Sequence, residues 1–274
     1  MNNQSRNQAA LVTGGAIRLG KAIAIGLAKK GFDIAVHYNT SKKEAESVAE
    51  TLTSLGIKVV LLQANLLNHD ETISLIDKAK DGLGKPLNLL VNNASFFLND
   101  SIDSATLTSW DRHFSSNLRA PFFLTQAFAK QVPDEKEDEN GEPIAQGLII
   151  NMVDQRVLKP TSQFATYTIA KMGLWSFTQT AAIALAPRIR VNAIGPGPTI
   201  KTDFQTEEHF SNQRTNTILR RGSNPRDIVG AINYFIDSPS ITGQLICTDS
   251  GQHLTWNPKY WGEDYVISDP SQES

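Results

Sequence analysis

Cysteine is almost missing from these 274 residues: Cys247 stands alone, so there is no internal disulfide and no cysteine metal cluster. Charge of one sign is also missing. The 26 basic and 28 acidic residues leave a net charge of −2, which gives no general field to attract nucleic acid or acidic lipid. No apolar run is long enough to span a bilayer, and residues 1–8 lack an apolar signal core. A cytoplasmic protein without nucleic-acid or membrane partners is expected. His37, His69, His113, His209 and His253 are scattered without metal-ligand spacing, so no metal site is expected either. What is present is an ordinary globular balance, 40% hydrophobic and 20% charged, on a length that suits one α/β domain.

The chain opens on a short apolar run, residues 9–13, of the kind that forms a strand buried on both faces of a parallel sheet. It passes into Thr13-Gly14-Gly15-Ala16-Ile17-Arg18-Leu19-Gly20 and then into helical spacing over residues 21–30. Strand, glycine turn and helix make the setting in which a dinucleotide is held: glycine lets the backbone approach, and the helix N-terminus favours a pyrophosphate. A tight turn with no ligand is the alternative. Residues 32–37 read as the second strand, closed by His37-Tyr38-Asn39-Thr40-Ser41 without an Asp or Glu. An acid there would bind ribose hydroxyls and repel a 2′-phosphate, so its absence favours NADP over NAD, with Ser41, Lys42 and Lys43 as phosphate contacts.

Further strands are expected at 58–63, 87–91, 147–153, 189–194 and 244–248, and helices at 41–55, 70–83, 106–130 and 225–236. Asn65 and Leu66 follow the third strand, where an adenine would rest. Asn92-Asn93-Ala94-Ser95-Phe96-Phe97 follow the fourth. Two adjacent phenylalanines in a loop leave one exposed to a flat ligand, or Phe97 is a loop anchor. Residues 133–143 are strongly acidic and read as a solvated or mobile surface loop, while Gly195-Pro196-Gly197-Pro198 forces a turn out of its strand. The polar stretch 199–222 suits a substrate lid or, equally, an ordinary surface excursion. The tail, 255–274, carries Trp256, Tyr260, Trp261 and Tyr265, which suggest packing on the body or on a neighbouring subunit. Alternating strands and helices without a repeat or linker argue one doubly wound parallel sheet, Rossmann-like, with helices on both faces.

Tyr167 and Lys171 are four residues apart at the start of a helical run, so their side chains share a face. A cation beside the phenol would favour phenolate and bring Tyr167 toward useful proton exchange. Asp154 closes the strand at 147–153 and would enter the same pocket, or else it caps a local turn. An ionised carboxylate can only accept hydrogen bonds and would oppose a developing alkoxide. It would suit a ring rich in N–H donors; protonated, it could instead supply a proton.

Taken together, these segments resemble the short-chain dehydrogenase/reductase family from Ala9 to about Leu254. Thr13 to Gly20 matches its glycine motif, Asn92-Asn93-Ala94 the segment after the fourth strand, and Asn117 its helix asparagine. Tyr167 and Lys171 match its catalytic pair, and Gly195-Pro196-Gly197 the turn beside the nicotinamide. The resemblance implies hydride transfer with a nicotinamide cofactor, often in a homotetramer. Arg18 where the family has glycine, Asp154 where it has serine, and Ser95, Phe97, His37 and Tyr38 are similar to the pteridine and dihydromonapterin reductases. That subgroup implies an NADP(H) site over Gly14, Arg18, Leu19, Gly20, His37, Tyr38, Asn39, Ser41, Asn65, Leu66, Asn93, Ala94, Ser95, Tyr167, Lys171, Pro196 and Gly197. It implies a pterin-like C=N substrate held by Arg18, Ser95, Phe97, Asp154 and Tyr167, with Asn117 fixing the helix near Lys171. Thr40, Asn65, Arg156 and Val157 depart from the subgroup. A reductase of ketones, sugars or 3-oxoacyl groups is the alternative, and a non-catalytic NADP-binding sensor the second.

Overall fold

In the computed structural model, which describes residues 8–203 and 205–255, the opening apolar run is strand β1 (Ala9–Val12), buried at every position. Helix α1 (Arg18–Lys29), β2 (Asp33–Tyr38), α2 (Lys42–Ser54) and β3 (Val59–Gln63) follow. Then come α3 (His69–Ile73), α4 (Leu75–Leu83), β4 (Leu89–Asn92), α5 (Leu107–Phe114), a π-helical turn at Ser115–Arg119, and α6 (Ala120–Gln131). The second half holds the short strands β5 (Lys136–Glu137) and β6 (Pro143–Ile144), β7 (Gly147–Met152), a 3₁₀ turn at Gln155–Val157, and α7 (Ala165–Leu185). It continues with β8 (Ile189–Pro196), α8 (Glu207–Thr215), α9 (Pro225–Asp237), β9 (Leu245–Thr248) and a 3₁₀ turn at Gln252–Leu254.

Seven strands form one sheet in the order β3-β2-β1-β4-β7-β8-β9, and every neighbouring pair is parallel. Alternate residues of a strand point to opposite faces, so each strand feeds two cores. Ala10, Val12, Ile34, Val36 and Ile150 pack with Ile23, Leu27, Val48, Leu52 and Phe235 of α1, α2 and α9. Ala9, Leu11, Ala35 and Ile149 pack with Leu75, Ile76, Leu124, Phe128 and Ala181 of α4, α6 and α7. Phe128 and Phe235, fully buried under opposite faces, each contribute roughly 1.5–3 kcal/mol by leaving water. The expected doubly wound sheet with helices on both faces is the observed architecture. Its strand order reverses between β1 and β4, which opens a crevice at the carboxyl ends of those strands.

Three expected elements come out differently. The helix read over residues 70–83 is two helices that meet at Ser74, whose hydroxyl bonds the Glu71 carbonyl at 2.8 Å and competes with the helical ladder. The helix read over 106–130 starts at a Thr106–Ser109 capping box but widens into the π turn that contains buried Asn117. The acidic stretch at 133–143 is largely exposed yet ordered, with β5 and β6 antiparallel and Asp138 accepting the Asn140 and Glu142 N–H groups. The aromatic residues of the tail, Trp256, Tyr260, Trp261 and Tyr265, lie outside the described residues. No helix among the described residues is long and apolar enough to cross a membrane.

Candidate active site

The glycine turn between β1 and α1 is clamped from both neighbouring strands. From the β4 side, buried Thr13 accepts the Asn93 and Ala94 N–H groups at 2.9 and 3.0 Å, and the Asn93 amide donates to the Thr13 carbonyl at 2.8 Å. From the β2 side, His37 Nδ1 accepts the Gly14 N–H at 3.0 Å, while Nε2 lies 3.0 Å from the Ala64 carbonyl at the end of β3. An Nδ1 that accepts requires the proton on Nε2, so His37 is a neutral staple across three strands. Burial pushes it down to about 4, against the opposing pull of the Ala64 carbonyl. Gly14 sits at φ 61°, and a Cβ on Gly20 would collide with the Gly14 carbonyl oxygen. The turn therefore leaves space only while both positions are glycine.

α1 begins at Ile17 with no side-chain cap and no acid in its first turn. Its leading N–H groups are left for an anion, which the helix dipole favours. Arg18, at φ 50°, is turned elsewhere: its guanidinium donates to the Ile200 and Lys201 carbonyls at 3.0 and 2.9 Å. The resemblance assigns it to pyrophosphate and pterin; here it ties α1 to the start of the 199–222 segment. Arg214 closes the base of that segment, donating to the Pro198 and Ser223 carbonyls at 2.8 and 2.7 Å.

Tyr167 and Lys171 project from the first turns of α7 and are buried. The Tyr167 hydroxyl donates to Asp154 Oδ2 at 3.0 Å, and Asp154 Oδ1 accepts the Arg156 N–H at 2.9 Å. Asp154 thus does both things weighed for it, capping the 3₁₀ turn and entering the pocket. The lowering of the phenol pKa expected from Lys171 is corrected. Burial, then the Asp154 charge and hydrogen bond, push the phenol well above its ordinary value, with Arg156 and Ser95 opposing. Lys171 does not offset them, because its ammonium donates to the Met152 carbonyl at 2.7 Å and lies 5.7 Å from the Tyr167 ring centroid. Burial lowers Lys171 to about 8, with Asp154 opposing.

Asn117 lies on the π turn, which packs on α7. Its side chain clasps the Phe96 backbone, accepting the N–H at 3.0 Å and donating to the carbonyl at 2.9 Å. The side chain thus holds the loop after β4. Phe97 lies on the cavity wall with its ring stacked on Phe164, centroids 4.5 Å apart and planes within 5°, and edge-on to Tyr167 at 4.8 Å. It is an anchor and a wall at once.

Several residues that support this site carry no motif. Asp100, between β4 and α5, caps α7 from a distance by accepting the Ala165 N–H on its carbonyl and the Thr166 N–H on its side chain. His113 Nε2 accepts the Leu98 N–H at 3.1 Å, so Nδ1 carries the proton to Thr166 Oγ1 at 2.6 Å, and Thr166 donates on to Asp100. Burial lowers His113, with Asp100 opposing. Phe164, nearly fully buried, enters α7 at φ 58°, a left-handed conformation that strains a bulky residue. The only signals in the sequence are position: His113 stands one helical turn before Asn117, and Phe164 three residues before Tyr167.

One continuous cavity of about 690 Å³ runs along the crevice. Every residue that the resemblance assigns to cofactor or substrate lines it, from Asn65 and Leu66 to Phe97, Asp154 and Tyr167. Lys42 and Lys43, expected as phosphate contacts, are exposed and outside the lining, and Asn117 stands behind the wall. Among the described residues no group of three or more His, Cys, Asp or Glu side chains is placed to hold a metal ion.

The family model for short chain dehydrogenase matches residues 8–212. Pteridine reductase 1 of Leishmania tarentolae is 32% identical over 286 residues, covering 90% of this chain and 96% of the relative. The 3-oxoacyl acyl-carrier-protein reductase of Synechocystis is 32% identical over 248 residues, covering 89% and 96%. Among solved structures, the FolM alternative dihydrofolate reductase 1 of Brucella canis, complexed with NADP, superposes with a TM-score of 0.86 at 40% identity, over 94% of this chain and 98% of that one. Sharing its fold and its span with reductases of more than one substrate class, this chain belongs to the short-chain dehydrogenase family.

Proposed function

We propose that this chain is an NADPH-dependent reductase that reduces a C=N bond in a pterin-like ring. The observation that carries the reading is the carboxylate of Asp154 beside the catalytic phenol, where the family has a serine. A serine hydroxyl donates to a ketone oxygen, whereas a carboxylate accepts from the N–H groups of an amino-heterocycle. The pteridine reductase and FolM relatives point the same way.

The residues fit the cofactor. The uncapped start of α1 suits a pyrophosphate, and the absence of an acid after β2 suits a 2′-phosphate next to Ser41. When bound, NADPH supplies the hydride. The chain holds the ring against the Phe97 wall and keeps Tyr167 protonated, since the phenol is raised and its proton already points at a carboxylate. Tyr167 then delivers a proton to the ring nitrogen as the adjacent carbon is reduced, so that C=N becomes CH–NH. Asp154 aims the phenol, Lys171 offers its ammonium to the cofactor side, and the 199–222 segment acts as the lid that keeps water out.

Steady-state oxidation of NADPH against a dihydropterin, a ketone panel and a 3-oxoacyl thioester tests the reading. Turnover of the thioester alone would replace it with the second reading, which the Synechocystis relative favours. A sensor has no need of a buried phenol paired to a carboxylate, and it would turn over none of them.

A further inference from the structure

Among the described residues four cationic side chains line the cavity: Arg18, Arg112, Arg156 and Lys171. Two are committed to backbone carbonyls, Arg18 at Ile200 and Lys201 and Lys171 at Met152. The other two are placed differently. Arg112 lies over the Phe96 ring at 4.0 Å and Arg156 over the Phe164 ring at 4.7 Å. Arg156 makes one side-chain hydrogen bond, to Thr161 at 2.6 Å, and neither arginine forms an ion pair among the described residues. A guanidinium that uses its face on a ring keeps edge N–H groups in a fork suited to a carboxylate or phosphate. The two rings they cover flank Phe97: Phe164 is stacked on it and Phe96 precedes it in the chain. Phe97 in turn touches Tyr167 edge-on. Along this stack the Phe164 and Phe97 rings lie between the Arg156 guanidinium and Tyr167, although the guanidinium charge still reaches the phenol.

We infer that Arg112 and Arg156 form an anion-binding rim, and that the substrate carries a carboxylate or phosphate on a tail extending from the ring that is reduced. This deepens the proposed function and rests on it for the identity of the ring. Neutral reduced pterins fill only the inner part of the site. A folate-like molecule, with a flat spacer and terminal carboxylates, fills the aromatic wall and reaches the rim; a phosphate-bearing tail uses the same donors.

The test compares substrates with and without the anion, using NADPH-loaded enzyme. Dihydrofolate is paired with tail-less dihydrobiopterin, and a 3-oxoacyl phosphopantetheine with the phosphate-free N-acetylcysteamine thioester. Arg112→Met and Arg156→Met keep the apolar stem on each ring. Each should raise KM for the anionic member roughly five- to tenfold, the range of a partly exposed charged contact. The kcat should stay unchanged in Arg112→Met, whereas Arg156→Met also removes a charge that opposes the rise of the Tyr167 phenol. KM for the neutral member should move less than about twofold, which also reports that the variant is folded, and added salt should mimic the substitutions for the anionic member alone. An effect confined to dihydrofolate identifies a carboxylate tail. Failure of both pterins with turnover of the thioesters means the ring assignment is wrong, and the thioester pair then decides the rim. No preference for the anionic member in either pair, or a preference that survives both substitutions, overturns the proposal.

Discussion

The Tyr167 hydroxyl and the Asp154 carboxylate are partners at 3.0 Å, although 13 residues separate them in the chain. The bond makes Tyr167 a donor with its proton held in place, which is the state a general acid needs at neutral pH. Tyr167→Phe should leave the fold intact and lower turnover by roughly 10²–10⁴, well beyond any change in cofactor affinity. Steady-state kinetics beside a cofactor titration checks this, and undiminished turnover would remove Tyr167 from the chemistry.

Asp154→Ser restores the family's residue and removes the two influences that, after burial, raise the phenol. The alkaline limb that reports deprotonation of Tyr167 in a pH–rate profile should therefore move to lower pH. Pterin reduction should weaken relative to any ketone activity. Improved pterin turnover in this variant would count against the assigned ring.

His37 links solution pH to the cofactor turn. Its folded value is depressed from 6.5 to about 4, so unfolded chains bind the proton first as pH falls. Its contribution of roughly 3 kcal/mol is complete above pH 6.5 and is lost as pH drops toward 4. His37→Gln keeps an acceptor for Gly14 and a donor for Ala64 but does not titrate. Urea unfolding at pH 7 and pH 5 should show a smaller loss of stability in the variant than in the parent; equal losses would refute the assignment.

Arg18→Ala removes both donors that hold the Ile200 and Lys201 carbonyls. Two exposed charge-assisted bonds of this type hold the segment by about 1 kcal/mol in net terms, or roughly fivefold in opening. Hydrogen exchange in peptides from 199–222 should quicken by about that factor, while peptides from β7 stay unchanged. Unaltered exchange would mean that Arg214 alone anchors the segment.

The sheet was legible in the sequence because its strands are buried on both faces, so apolar runs such as residues 9–12 and 147–152 mark them directly. The site was legible for a related reason: its motif residues fall at the carboxyl ends of those strands and at the start of α7, and the fold gathers such positions in one crevice. Partnerships across long separations were not legible. His113 meets Thr166 from 53 residues away and Asp100 meets Thr166 from 66, and no local spacing announces either pair. The rise in the Tyr167 pKa was missed because a nearby lysine was visible in the helix while the competing Met152 carbonyl was not.

The widened turn at Ser115–Arg119 carries one residue more per turn than the helices on either side. Deleting a single residue there would heal it into an ordinary helix, leaving α5 and α6 facing as they do now. Asn117 would lose the slack that brings its amide to Phe96. A chain shortened by one at this place would melt much like its parent and reduce its substrate poorly. Folding and chemistry can therefore be separated at one spot on one helix.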